Sequence, residues 1–150
     1  MSEFFAPLVP FVVEYGAVGL FIFCALSASI LPISSEAALI ATMAAGFGPW
    51  EALAWASAGN CFGVLVNYWV GHLFEARVRN RLARSKSGQS ALDRIDRSGW
   101  VALLLSWTPF LGDPITYAAG AVGMPLRRFV PITFSLRIAR YFVFVLFFLP

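Results

Sequence analysis

Pro32-Ile33-Ser34-Ser35-Glu36 and Pro109-Phe110-Leu111-Gly112-Asp113 decide how this chain is read. Both stretches run proline, three residues, acid. Each is followed by Ala- and Gly-rich sequence, a second proline (Pro49, Pro125) and a long apolar helix. The offset between them is 77 residues, and Asn60 and Arg137 stand at the same offset. Paired interruptions in two corresponding hydrophobic segments point to a transporter-type site near the bilayer midplane. An acid at that depth is costly and is a functional candidate by default.

The surrounding composition sets the class. The chain of 150 residues is 59% hydrophobic and 13% charged, against about 25% charged in an ordinary soluble domain. Its apolar residues form runs: Tyr15–Ile33, Ala37–Trp50, Ala52–Phe74, Trp100–Leu126 and Phe129–Leu149. So small a soluble fold could not bury them, and an all-α integral membrane protein is expected. No basic segment precedes the first run, so a cleaved signal peptide is not expected.

Run lengths then divide the elements. A helix needs about 20 residues to span a bilayer. Ala52–His72 and Leu126–Leu149 reach that length, whereas Tyr15–Leu31, Glu36–Gly48, Trp100–Trp107 and Pro114–Met124 do not. Pro32 and Pro109 each remove a helical hydrogen bond where the short runs meet. The expectation is two re-entrant hairpins, 15–48 and 100–124, with tips at Pro32 and at Pro109 and Gly112. Two full transmembrane helices, 50–73 and 126–149, complete the fold. An interfacial segment covers 2–14. Four full crossings are the alternative, and they would strand Glu36 and Asp113 in turns at lipid depth.

Charge gives the orientation. Residues 1–50 contain no Lys or Arg, while Arg77, Arg79, Arg81, Arg84, Lys86, Arg94 and Arg97 crowd into 75–99. The positive-inside rule makes this loop cytoplasmic, with helical stretches Glu75–Arg84 and Ala91–Ser98 joined by a flexible linker, 85–90. The N-terminus is then outside. The two hairpins enter from opposite sides, as an inverted repeat.

Within the membrane, Glu36 and Asp113 each start a half-helix. Asp113 before Pro114 is a strong cap pattern. Capping is one reading of both acids, and proton handling is the other. Arg137 and Arg140 lie deep in the last span, three residues apart on one face. They require anionic partners, which are Glu36 and Asp113 in a structural reading or a phosphate group in a binding one. Asn60 and Asn67 share a face of the first span, and Gly59, Gly63 and Gly71 allow close helix packing there. Cys24 and Cys61 read as small packing residues. With one His and no CxxC, the sequence points to no metal and no cofactor. It carries no nucleophile–His–acid set, HExxH or phosphate loop, so an enzyme is not expected.

At these residues the chain resembles the DedA family of SNARE-associated, VTT-domain membrane proteins. Tyr15-Gly16-Ala17-Val18-Gly19-Leu20-Phe21 with Leu31-Pro32-x-x-x-Glu36 is similar to their first hairpin. Ala119-Gly120-x-x-x-Met124-Pro125-x-Arg127-Arg128-Phe129 is similar to the end of their second. Ser106-Trp107-x-Pro109-x-x-Gly112-Asp113, with Leu31-Pro32 and Ser35-Glu36, is most similar to the shorter YqaA-type subgroup. The resemblance implies a multi-pass protein of the bacterial inner membrane, linked to membrane homeostasis. It also implies translocation of phospholipid or polyprenyl phosphate between leaflets, as flippase or scramblase, with proton coupling. The common pattern has Arg at the positions of Ser106 and Gly112 and Asp at that of Val64. Here Arg137, Arg140 and Asn60 are the available anion-binding residues. Membrane lipids and protons are the implied partners, a homo-oligomer is a further candidate, and nucleic acid is not. A proton-coupled small-solute transporter and a non-transporting assembly protein remain as alternatives.

The orientation is testable by cysteine accessibility. Lys86→Cys should react only with reagent admitted to the cytoplasmic side of oriented vesicles; labelling from outside would reverse the topology.

Overall fold

The computed structural model describes residues 8–29, 35–108 and 112–148. Pro32 and Pro109, the two expected tip prolines, lie outside them. The described residues are helical, with no strand among them. In order they form α1 (Leu8–Ser29), α2 (Ser35–Ala44), α3 (Pro49–His72), α4 (Glu75–Leu82), α5 (Lys86–Ser98), α6 (Trp100–Leu104) running into a 3₁₀ turn (Leu105–Trp107), α7 (Gly112–Ala121) and α8 (Leu126–Phe148).

Local sequence explains the boundaries. Helix α1 is two helices merged across Gly16, whose φ of 57° and ψ of −136° are non-helical. The kink falls where the interfacial segment was expected to give way to the first apolar arm. Helix α2 has 10 residues, about 15 Å of rise and half of a hydrocarbon core. Gly46 (φ 96°) and Gly123 (φ 70°) take left-handed conformations in the turns after α2 and α7, where a side chain would be strained.

One expectation needs correction. The segment 85–90 is not a flexible linker: Ser85 accepts a hydrogen bond from the Gly88 amide and caps α5, which starts at Lys86. The cause is ordinary N-capping by serine. Helix α3 has the length of a span, yet among the described residues only α8 joins spanning length to sufficient apolarity, with mean hydropathy 1.6. The Gly, Ser and Asn residues of α3 lower its apolarity. Helix α8 also carries Pro131 internally, which withholds one amide from the helical ladder.

The chain packs as two compact units, Met1–Gly63 with Arg137–Pro150, and Val64–Leu136. In the first, α1 packs on α2, and Leu20, Phe23, Cys24, Leu39, Ala52, Ala56, Tyr141 and Val145 form a buried cluster. Here Gly59 and Gly63 bring α3 against the α1 backbone. A Cβ on Gly59 would collide with the Phe21 carbonyl, and one on Gly63 with that of Ala25. In the second unit the contact is reciprocal. A Cβ on Gly71 would strike the Tyr117 carbonyl, and one on Gly120 the Tyr68 carbonyl. Such small-residue contacts drive helix association in lipid, where apolar side chains gain little by leaving the acyl chains. Ile22, Phe62, Trp69, Phe142, Leu146 and Phe147 are large apolar side chains left exposed.

Gly71→Val should destabilise the protein by about 1–3 kcal/mol through overpacking, read as a lowered Tm in detergent. Gly48→Ala should be near neutral, because its Cβ meets only an ordinary contact with Glu51. Equal shifts in the two variants would show that the Gly71 contact is not tight.

Candidate functional site

The first unit gathers the buried charges. Glu36 lies in the first turn of α2, where the helix dipole favours a carboxylate. Its Oε1 is 3.0 Å from Nε of Arg140. Both side chains are nearly enclosed, at 11% and 7% exposure. One turn earlier on α8, Nη1 of Arg137 donates to Oδ1 of Asn60 at 3.1 Å. Arg137 and Asn60 are buried at 3% and 1%. The pair predicted at an offset of 77 residues is therefore in direct contact.

Two residues join this constellation to which the sequence reading gave no role. The Tyr141 hydroxyl donates to Oγ of Ser35 at 2.7 Å. Ser35 Oγ in turn points its proton toward Oε2 of Glu36, 3.5 Å away, at the limit of a hydrogen bond. Each adjoins a recognised charge, Ser35 beside Glu36 and Tyr141 beside Arg140. That adjacency was their only signal in sequence. Arg140, Glu36, Ser35 and Tyr141 thus form a buried polar group around one carboxylate.

Asp113 belongs to the second unit, half-buried in the first turn of α7. Its carbonyl accepts from Thr116 Oγ1 at 2.7 Å, and Thr116 accepts from Asn67 Nδ2 at 3.2 Å. Gly112 opens α7. Ser106, where the common family pattern has arginine, is fully buried.

The basic segment of this unit does more than carry charge. Arg79 donates to the Val122 carbonyl at 2.5 Å and pairs with both Asp96 carboxylate oxygens at 3.0 and 3.3 Å. Those bonds to Asp96 hold its guanidinium above its ordinary pKa. The Tyr68 hydroxyl donates to the Met124 carbonyl at 2.6 Å, and Tyr68 packs on Phe129 with ring centres 4.7 Å apart. His72 lies 2.8 Å from the Glu75 carboxylate. The turn after α7 is thereby fastened to α3 and α4.

Comparison with known proteins decides what kind of molecule holds these groups. The VTT domain model matches residues 31–149. The chain belongs to the VTT-domain family, the DedA proteins. Among its relatives, the inner membrane protein YqaA of Escherichia coli (strain K12) is 38% identical over 96 residues, covering 63% of this chain and 64% of YqaA. YqaA of Shigella flexneri matches to the same extent. The chain thus spans less than two thirds of the length of these curated relatives. No solved structure matches it significantly. In this DedA-family membrane protein the matched segment contains Glu36, Asp113, Arg137 and Arg140.

Stability measurements separate the members of the buried group. Glu36→Ala should cost about 3–5 kcal/mol, the penalty for stranding a buried partner charge. Tyr141→Phe should cost about 1 kcal/mol for one neutral hydrogen bond. A Glu36→Ala loss no larger than that of Tyr141→Phe would mean that water already solvates Arg140.

Proposed function

We propose that this DedA-family chain moves a phosphate-bearing lipid, a phospholipid or polyprenyl phosphate, between the leaflets of a bacterial inner membrane, coupled to protons. The observation that carries the reading is the enclosed Glu36–Arg140 pair at 3.0 Å with Arg137 one turn away. A guanidinium grips phosphate with the same forked donors that it offers a carboxylate. When Glu36 takes up a proton it loses its charge, and Arg140 is released to an incoming phosphate. When the phosphate departs, Glu36 gives up the proton and closes the pair again. Asn60 holds the Arg137 guanidinium in place beside this exchange.

The finer architecture belongs to the same proposal. Segments 15–48 and 100–124 are re-entrant hairpins of opposite orientation, 50–73 and 126–149 cross the bilayer, and 75–99 is cytoplasmic. Oppositely oriented hairpins would offer equivalent half-sites to the two leaflets, with Asp113 the second proton-handling acid. The short rise of α2 supports re-entry, and the inner-membrane name of the YqaA relatives supports the location.

Reconstitution into liposomes tests this reading. Exchange of labelled phospholipid or polyprenyl phosphate should respond to an imposed pH gradient. Glu36→Gln should abolish that response. Arg140→Gln should slow exchange by about tenfold or more, the equivalent of 1.4 kcal/mol. Unchanged exchange in Glu36→Gln, Asp113→Asn and Arg137→Ala would remove the mechanism. No exchange of any lipid by a folded protein would leave the assembly and homeostasis role.

A further inference from the structure

A cleft of about 200 Å³ opens in the second unit, lined by Ile95, Asp96, Trp100, Met124, Pro125 and Arg128. We infer that it is a docking site for the phosphate head group of a glycerophospholipid in the cytoplasmic leaflet. Its role as a loading site rests on the lipid-moving function proposed above, whereas its binding chemistry stands independently.

The charge of the lining favours an anion. Asp96 is the acid of the cleft, and both its carboxylate oxygens are engaged by Arg79. Arg128 is exposed, and it donates a long hydrogen bond of 3.4 Å to the Asp96 carbonyl. Once Arg79 has compensated Asp96, the cleft is left with the positive charge of Arg128. The position of that arginine agrees. It lies in the first turn of α8, where a macrodipole disfavours a cation, so helix stability alone does not account for it. A bound phosphate would offset the cost.

The rest of the lining suits the lipid part of the ligand. Trp100 is 42% exposed, and with Ile95, Met124 and Pro125 it presents an apolar wall beside the guanidinium. The residues sit on a seam in the sequence. Asp96 and Arg97 close the charged segment, Trp100 begins an apolar one, and Pro125 leads into α8. Tryptophan favours this water–hydrocarbon boundary. A free phosphate would use only the polar half of such a cleft, and a lipid head group with its glycerol would use both.

The cleft is also preorganised. Its Met124 wall is pinned by the Tyr68 hydroxyl, and the adjoining Val122 carbonyl by Arg79. Both anchors come from buried or half-buried residues, so the wall is set before any ligand arrives. A preformed site avoids the ordering cost of binding.

Dihexanoyl phosphatidylglycerol, kept below its micelle concentration, should bind the full-length protein in detergent with a measurable Kd. Arg128→Gln should weaken binding about tenfold, the loss of one charge-assisted hydrogen bond, and Arg128→Lys should restore part of it. Trp100→Leu should weaken the lipid but leave inorganic phosphate unaffected. Arg127→Gln, a neighbouring exposed charge outside the cleft, should stay within about twofold of the parent. Equal losses in Arg127→Gln and Arg128→Gln would reduce the cleft to a diffuse basic rim and overturn the proposal. Inorganic phosphate binding as tightly as the lipid would overturn it in favour of a free-anion site. Glu36→Gln separates the two readings. It should retain lipid binding at the cleft, and continued gradient-dependent exchange in Glu36→Gln would sink the transport mechanism without touching this site.

Discussion

A buried arginine paired with a carboxylate governs the first unit of this protein. Arg140 cannot be carried into an apolar interior alone, since a central arginine costs about 2.5–3.5 kcal/mol even on lenient insertion scales. Its 3.0 Å contact with Glu36 therefore ties the last helix to the start of α2. Arg137 and Asn60 repeat the arrangement one turn away, fastening the same helix to α3. Tyr141 and Ser35 then close the carboxylate from a third side. The apolar cluster around Leu20, Leu39 and Val145 packs under this polar group. Each polar contact crosses between segments far apart in sequence, so register in this unit is set by polar pairing as much as by apolar packing.

The second unit solves a different problem, the junction between charged and apolar chain. Arg79 serves two partners at once, the Asp96 carboxylate and the Val122 carbonyl. It thereby links α4 to α5 and both to the turn ahead of α8. In sequence it was one basic residue among seven, and the positive-inside rule treats all seven alike. Which of them is structural depends on the turn placed beside it, and nothing local encodes that placement.

The same distinction separates what was legible from what was not. Helix type and the need of Arg137 and Arg140 for anionic partners could be read from run lengths and the cost of burial, and the shared offset hinted that Asn60 and Arg137 line one polar cavity, but the choice of Glu36 as the acid beside Arg140 could not be read. The small-residue face of α3 was legible because glycine at helical spacing has few other uses in an apolar run. The capping of α5 by Ser85 was misjudged as a linker because serine and glycine serve both purposes. The Tyr141–Ser35 bond was missed because it joins residues 106 apart.

The reciprocal contact of Gly71 and Gly120 has a mechanical consequence. Each glycine leaves room only for the opposite backbone, so any side chain brought there would meet a carbonyl. The Asn67–Thr116 hydrogen bond joins the same two helices. The crossing of α3 and α7 is therefore keyed, a backbone contact whose position along both helices is set by where the glycines stand.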